Sequence, residues 1–124
     1  MVSVSNEGDL ELRINKLWSG SSIVPSAESH LRVTARAASV VLEVEAPYYG
    51  DVSPTQSSGS TQGLWNYEVV EWFVVGTGDP VPYLEVELGP KGHYLVLQLA
   101  GVRSVSACLE DMKYTTEVNG ARWT

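Results

Sequence analysis

Tyr83-Leu84-Glu85-Val86-Glu87-Leu88-Gly89-Pro90-Lys91-Gly92-His93-Tyr94-Leu95-Val96-Leu97-Gln98-Leu99 is the stretch that decides the fold. Two runs rich in β-formers flank a Gly-Pro-Lys-Gly turn, which predicts a hairpin of strands at residues 83–88 and 93–99. With residues 89–92 as a four-residue loop, Leu88 sits opposite His93, Val86 opposite Leu95 and Leu84 opposite Leu97. The other face then pairs Glu87 with Tyr94, Glu85 with Val96 and Tyr83 with Gln98. This register keeps the apolar residues together. A slip of one residue would carry Glu85 and Glu87 into the core, because strand side chains alternate with period two.

Moving outward, Leu64-Trp65-Asn66-Tyr67-Glu68-Val69-Val70-Glu71-Trp72-Phe73-Val74-Val75 is apolar on both parities. It predicts one central strand over 64–75, covered on both faces, with Trp72 and Phe73 in the core. Residues 9–14, 31–36 and 40–46 alternate apolar and polar and predict further strands. Pro47 stops the last of these, since it cannot donate to a ladder. Residues 47–63, rich in Ser, Gly, Pro, Thr and Gln, form a long loop of the kind that is either functional or disordered. Residues 76–82 read as a loop, and 103–112 as a short helix or turn. Asn119-Gly120 between residues 115–118 and 121–124 signals a second hairpin. The expected class is a single-domain, all-β, antiparallel two-layer β-sandwich of jelly-roll type.

Composition narrows the partners. The 124 residues are 44% hydrophobic, enough for one packed core, and carry a net charge of −7. Nucleic acid and anionic lipid both demand a basic surface, so neither is an expected partner. A neutral or cationic ligand suits this chain better. Cys108 is the single cysteine, leaving no internal disulfide and predicting a small buried hydrophobe. The first residues carry no basic and apolar leader pattern, and no apolar run approaches ~20 residues. The expected location is cytoplasmic.

The chemistry-bearing residues are mostly carboxylates and rings. Glu43/Glu45 and Glu85/Glu87 are two apart and share a face, whereas Glu68 and Glu71 on a regular strand point to opposite faces. Such alternation is usually the wet face of a sheet. If the two pairs lay on adjacent strands, their mutual repulsion would favour a cation. Glu43 and Glu45 are therefore metal candidates, with calcium as the ion. Glu71 sits in the most apolar run and needs a partner, with Arg13, Arg32, Arg36 and Arg103 available. Trp65, Tyr67, Glu71, Tyr83, Glu85, Glu87 and Tyr94 mix flat rings with acceptors. Sugars bind such mixtures, their C–H faces on rings and their hydroxyls donating to carboxylates. His93 reads as a rim histidine satisfied by backbone, and His30 is isolated. No catalytic residue is assigned, because no nucleophile elbow, P-loop or dinucleotide fingerprint is present.

The run LWNYEVVEWFVVG followed by YLEVELGPKGHYLVLQLAG, with APYYGD ahead of the long loop, resembles a family of uncharacterised animal and bacterial proteins. Its pattern is W-x-Y-E-V-V-E, then Y-L-E-V-E-L-x-P-x-G-x-x-L-V-L-x-L-x-G. The matching positions here are Trp65, Tyr67, Glu68, Glu71, Tyr83, Glu85, Glu87, Pro90 and Gly92. That family is similar to family-9-like carbohydrate-binding modules and DOMON-like sandwiches. The resemblance implies a jelly-roll sandwich. It also implies relatives that grip sugar ends between rings, some of them with calcium. Trp72 departs from the pattern, which has a smaller aliphatic residue there. Members also continue past the strand begun by Arg122-Trp123-Thr124, so a truncated isoform or fragment lacking roughly the last third is expected. The resulting expectation is a non-catalytic module for a carbohydrate or neutral polyol. The alternatives are a protein-interaction module using the acidic sheet face or edge, and a glycoside hydrolase-like pair of carboxylates.

Overall fold

The computed structural model describes residues 2–4 and 8–124 and is all-β. Its strands are β1 (Val2–Val4), β2 (Asp9–Ile14), β3 (Ser29–Ala35), β4 (Val40–Pro47), β5 (Gly59–Ser60), β6 (Val70–Val75), β7 (Tyr83–Leu88), β8 (His93–Leu99), β9 (Val105–Cys108), β10 (Val118–Asn119) and β11 (Arg122–Trp123). Two short 3₁₀ turns, Pro25–Ala27 and Leu64–Asn66, are the helical elements among the described residues. The strands form two sheets, which is the all-β, two-sheet class expected from the sequence. The chain divides into two compact units, one around each sheet.

The first unit holds the six-stranded sheet β1-β2-β3-β4-β11-β10. Its strands alternate as the sequence does. Leu31, Val33, Val44 and Ala46 are buried, while Arg32, Glu43 and Glu45 on the other parity are exposed. Pro47 closes β4 opposite Arg122, so it ends the strand as its missing N–H requires. The last hairpin pairs Val118 with Trp123 and Asn119 with Arg122. Its loop is therefore Gly120-Ala121 rather than Asn119-Gly120. Gly120 alone takes a positive φ of 64°, the pattern of a II′ turn with glycine first.

The second unit, Tyr49–Glu117, holds the sheet β5-β8-β7-β6, with β9 also on β8. β8 is central: β7 runs along one edge, while β5 and β9 share the other. Only Gln98 of its seven residues is exposed, which explains apolar side chains on both parities. Leu64, Leu95, Leu97 and Leu99 form a buried cluster, with Val69, Tyr83 and Cys108 packed against it. Residues 103–112, expected as a helix or turn, contain β9 instead.

Two expectations are corrected here. The run 64–75 is not one strand. Gly63, at φ 74°, starts the 3₁₀ turn Leu64–Asn66, and regular pairing begins only at Val70. Asn66 donates its side-chain amide to the Gly63 carbonyl, a local bond that competes with a ladder. The hairpin register is also shifted by one. Leu88 pairs with Tyr94, Glu87 with Leu95, Val86 with Val96, Glu85 with Leu97, Leu84 with Gln98 and Tyr83 with Leu99. The reason lies in the turn. Gly89 N–H donates to the His93 carbonyl at 2.9 Å, so Gly89 belongs to the ladder and the loop is Pro90-Lys91-Gly92. Gly92 sits at φ 84°, as in a three-residue loop that closes on a left-handed glycine.

Candidate functional site

The β6–β7 and β7–β8 registers together place residues 71, 73 and 75 of β6, 83, 85 and 87 of β7, and 93, 95, 97 and 99 of β8 on one face. Glu71 pairs with Glu87, and Glu85 pairs with Phe73. Glu71, Glu85 and Glu87 thereby converge, each offering a carboxylate oxygen within 4.8 Å of the others. The trio is graded in depth: Glu71 is exposed, Glu85 half-buried and Glu87 at 0% exposure. Neither oxygen of Glu87 meets an N–H or hydroxyl donor of the fold, and its one polar neighbour is the Glu85 carboxyl.

Electrostatics follow from that placement. Burial, then a side-chain hydrogen bond with the Glu85 carboxyl, then the charges of Glu71 and Glu85, push Glu87 up to about 8. Partial burial, then Glu85, raise Glu71 as well. Like charges at this separation repel by roughly 3 kcal/mol per pair at an effective dielectric of ~20. Repulsion of that size favours a proton or a cation within the group. None of the arginines considered for Glu71 supplies it among the described residues. Arg32 donates instead to Glu11 at 2.9 Å.

Rings flank the carboxylates. Phe73, expected in the core, is 48% exposed and meets Tyr83 with centroids 6.2 Å apart and planes tilted by 49°. The two are diagonal neighbours on the β6–β7 ladder, within reach for aromatic side chains. Trp65 and Tyr67 are exposed on the 3₁₀ turn and its cap, ahead of β6 rather than within it. Tyr94 is corrected outright. The slip turns it to the opposite face, where it is buried, donates its hydroxyl to the Glu110 carbonyl and meets Tyr114 edge-on.

Glu43 and Glu45 are not among the converging carboxylates and lie on β4, in the sheet of the first unit. Glu45 accepts from Arg122 Nε at 2.9 Å, and Glu43 lies across the ladder from Arg32. They line a groove of about 410 Å³ with Glu11, Arg13, His30 and Arg32, where both signs of charge alternate. Arg122 was expected only to begin a strand; a cation two positions past a turn glycine is also the signal of a partner for the facing strand.

The long loop is tied down. Glu68 accepts the backbone N–H groups of Tyr49 at 2.8 Å and Asp51 at 3.4 Å. His93, expected at the rim, is buried at the strand end and bonds through Nε2 to the Gln56 carbonyl at 3.0 Å. Gln56 in turn donates to Thr61 Oγ1 at 2.9 Å. Cys108 is half-buried, near Gln62 Nε2 at 3.4 Å. No helix among the described residues is long and apolar enough to cross a membrane.

No protein-family model and no solved structure matches the chain. Curated proteins do. The UPF0462 protein C4orf33 homolog of Mus musculus is 34% identical over 116 residues, 92% of this chain and 59% of the mouse protein. The human UPF0462 protein C4orf33 is 35% identical over 98 residues, 77% of this chain and 48% of its own length. The Rattus norvegicus homolog reaches 47% over 66 residues, 52% of this chain and 33% of the rat protein. The chain thus spans about half the length of these relatives. On these matches the homologues of this chain are the UPF0462 proteins, an uncharacterised family.

Proposed function

We propose that the chain is a non-catalytic module that binds a neutral sugar or polyol on the β6–β7 face. The observation that carries this reading is the half-exposed Phe73 ring beside Tyr83, on the same face as Glu71 and Glu85. A ring presents an apolar plane to the C–H face of a pyranose, and a carboxylate at its edge accepts from the hydroxyls. Trp65 and Tyr67, exposed on the segment leading into β6, offer further planes. The net charge of −7 favours a ligand without negative charge. The motif pair resembles an uncharacterised family that is in turn similar to family-9-like modules and DOMON-like sandwiches, which favours the same class.

Binding is preferred over hydrolysis because Glu87, the carboxyl held protonated near neutrality, has no exposed surface. A general acid must reach the leaving oxygen. The test is a neutral-glycan array probed with wild type, Phe73→Ala and Glu85→Gln. Saturable binding by wild type that weakens in both variants, with melting temperatures kept, supports the reading. Equal signal from all three, or none from wild type, overturns it.

A further inference from the structure

We propose that Glu71, Glu85 and Glu87 form a divalent-cation site whose fitting ion is calcium. Clustered acids alone would not justify this, since exposed carboxylates often crowd without a ligand. The deciding feature is Glu87. Its side chain is wholly buried, neither of its oxygens meets an N–H or hydroxyl donor of the fold, and it lies within 4.8 Å of the other two carboxylates. A buried carboxyl that could have been any apolar residue, and whose one polar neighbour is another carboxyl, is costly to keep. An ion bound between β6 and β7 satisfies it. The graded exposure of the trio then gives an entry path, from Glu71 at the surface through Glu85 to Glu87 at the base.

The donor set selects the ion. All three ligands are hard carboxylate oxygens, with no His or Cys in the group, which disfavours zinc and softer metals. Two oxygens on one calcium at ~2.3–2.6 Å can lie up to ~5 Å apart, whereas magnesium at ~2.0–2.1 Å limits them to about 4.2 Å. Oxygens already within 4.8 Å of one another can close by side-chain rotation on the larger ion, whose coordination geometry is the less demanding. Carboxylates that bind in bidentate fashion, with water on the Glu71 side, complete the six to eight oxygens calcium takes. Anchoring two cross-strand glutamates and a third on the same face would also lock the β6–β7 ladder.

This site stands whether or not a sugar binds, so the experiment contains metal alone. The 124-residue chain, stripped with chelator at pH 7.5, is titrated with calcium chloride and followed by calorimetry and melting temperature. The expected result is one ion per chain, a melting temperature that climbs with calcium, and a weaker response to magnesium. Glu87→Gln, which keeps the shape of the side chain, and Glu71→Gln, at the exposed end, should each weaken calcium binding by about tenfold or more. Glu45→Gln, on β4, should bind as wild type does. No calcium heat with an unmoved melting temperature, or equal binding by wild type and both trio variants, would overturn the proposal. Should Glu87→Gln fail to fold, Glu71→Gln decides between these outcomes by itself.

Discussion

Glu87 lies directly across the β7–β8 ladder from Leu95, and both side chains are fully buried. A carboxyl paired with leucine has no donor to lean on, so in the absence of metal it must carry its proton. Its pKa in the folded chain, raised to about 8, stands above its unfolded value. The stabilisation of the neutral form is therefore complete below the unfolded pKa and is lost as pH rises through the folded one. Metal-free protein should lose stability between about pH 4.5 and pH 8, by at most ~1.4 kcal/mol per pH unit from this group. Glu87→Gln should flatten that slope and melt higher than wild type at pH 8. Denaturant midpoints at pH 5, 6.5 and 8 measure it, and parallel pH profiles for the two proteins would show that Glu87 does not titrate in this range.

The turn glycines should differ in their tolerance of substitution. Gly92 sits at φ 84°, and a Cβ there would come within 3.0 Å of the Ser58 Cβ. Gly120 sits at φ 64° with nothing within 4 Å. Both alanine variants pay ~1–2 kcal/mol for left-handed backbone, and only Gly92→Ala adds a clash. Gly92→Ala should thus lose more in chemical denaturation than Gly120→Ala. Equal losses would mean that residue 58 yields freely.

Arg122 gathers three acceptors from separate parts of the first unit. Nε donates to Glu45, and the two terminal nitrogens donate to the carbonyls of Ser26 and Glu28 at 3.0 and 2.9 Å. The ion pair is partly exposed and contributes little, but the two carbonyl bonds hold the 3₁₀ turn at residues 25–27. Arg122→Ala should cost about 1–3 kcal/mol, and Glu45→Ala under about 1 kcal/mol. Arg122→Lys should recover only part of the loss, because one ammonium cannot span the same fork.

Glu68 is the anchor of the loop that follows β4. Removing its carboxylate frees the N–H groups of Tyr49 and Asp51, both on an exposed stretch. Glu68→Ala should speed amide exchange and proteolytic nicking in residues 49–56 while leaving β7 and β8 protected. Unchanged exchange across that segment would assign the order of the loop to the His93–Gln56 bond instead.

Much of the fold could be read from periodicity. The alternation in residues 9–14, 31–36 and 40–46 led directly to β2, β3 and β4, because a sheet with one wet face imprints a period of two. The two runs flanking Pro90 likewise announced β7 and β8. What the pattern could not decide was register in a strand that is apolar on both parities. β8 is covered on both sides, so its own apolar pattern fits either register, and the expected bar to the slip, a glutamate in the core, does not operate, since Glu87 is buried. A glutamate pairing then looks equally acceptable on either face. The choice fell to backbone geometry at Gly92, whose left-handed conformation shortens the loop to three residues. That one-residue difference turned Tyr94 away, while the separate β6–β7 pairing set Glu87 against Glu71 and Glu85 against Phe73. The residues of the candidate site were thus visible in the sequence. Their convergence was decided only in the tertiary structure, because it depends on pairing between strands, which no local pattern encodes.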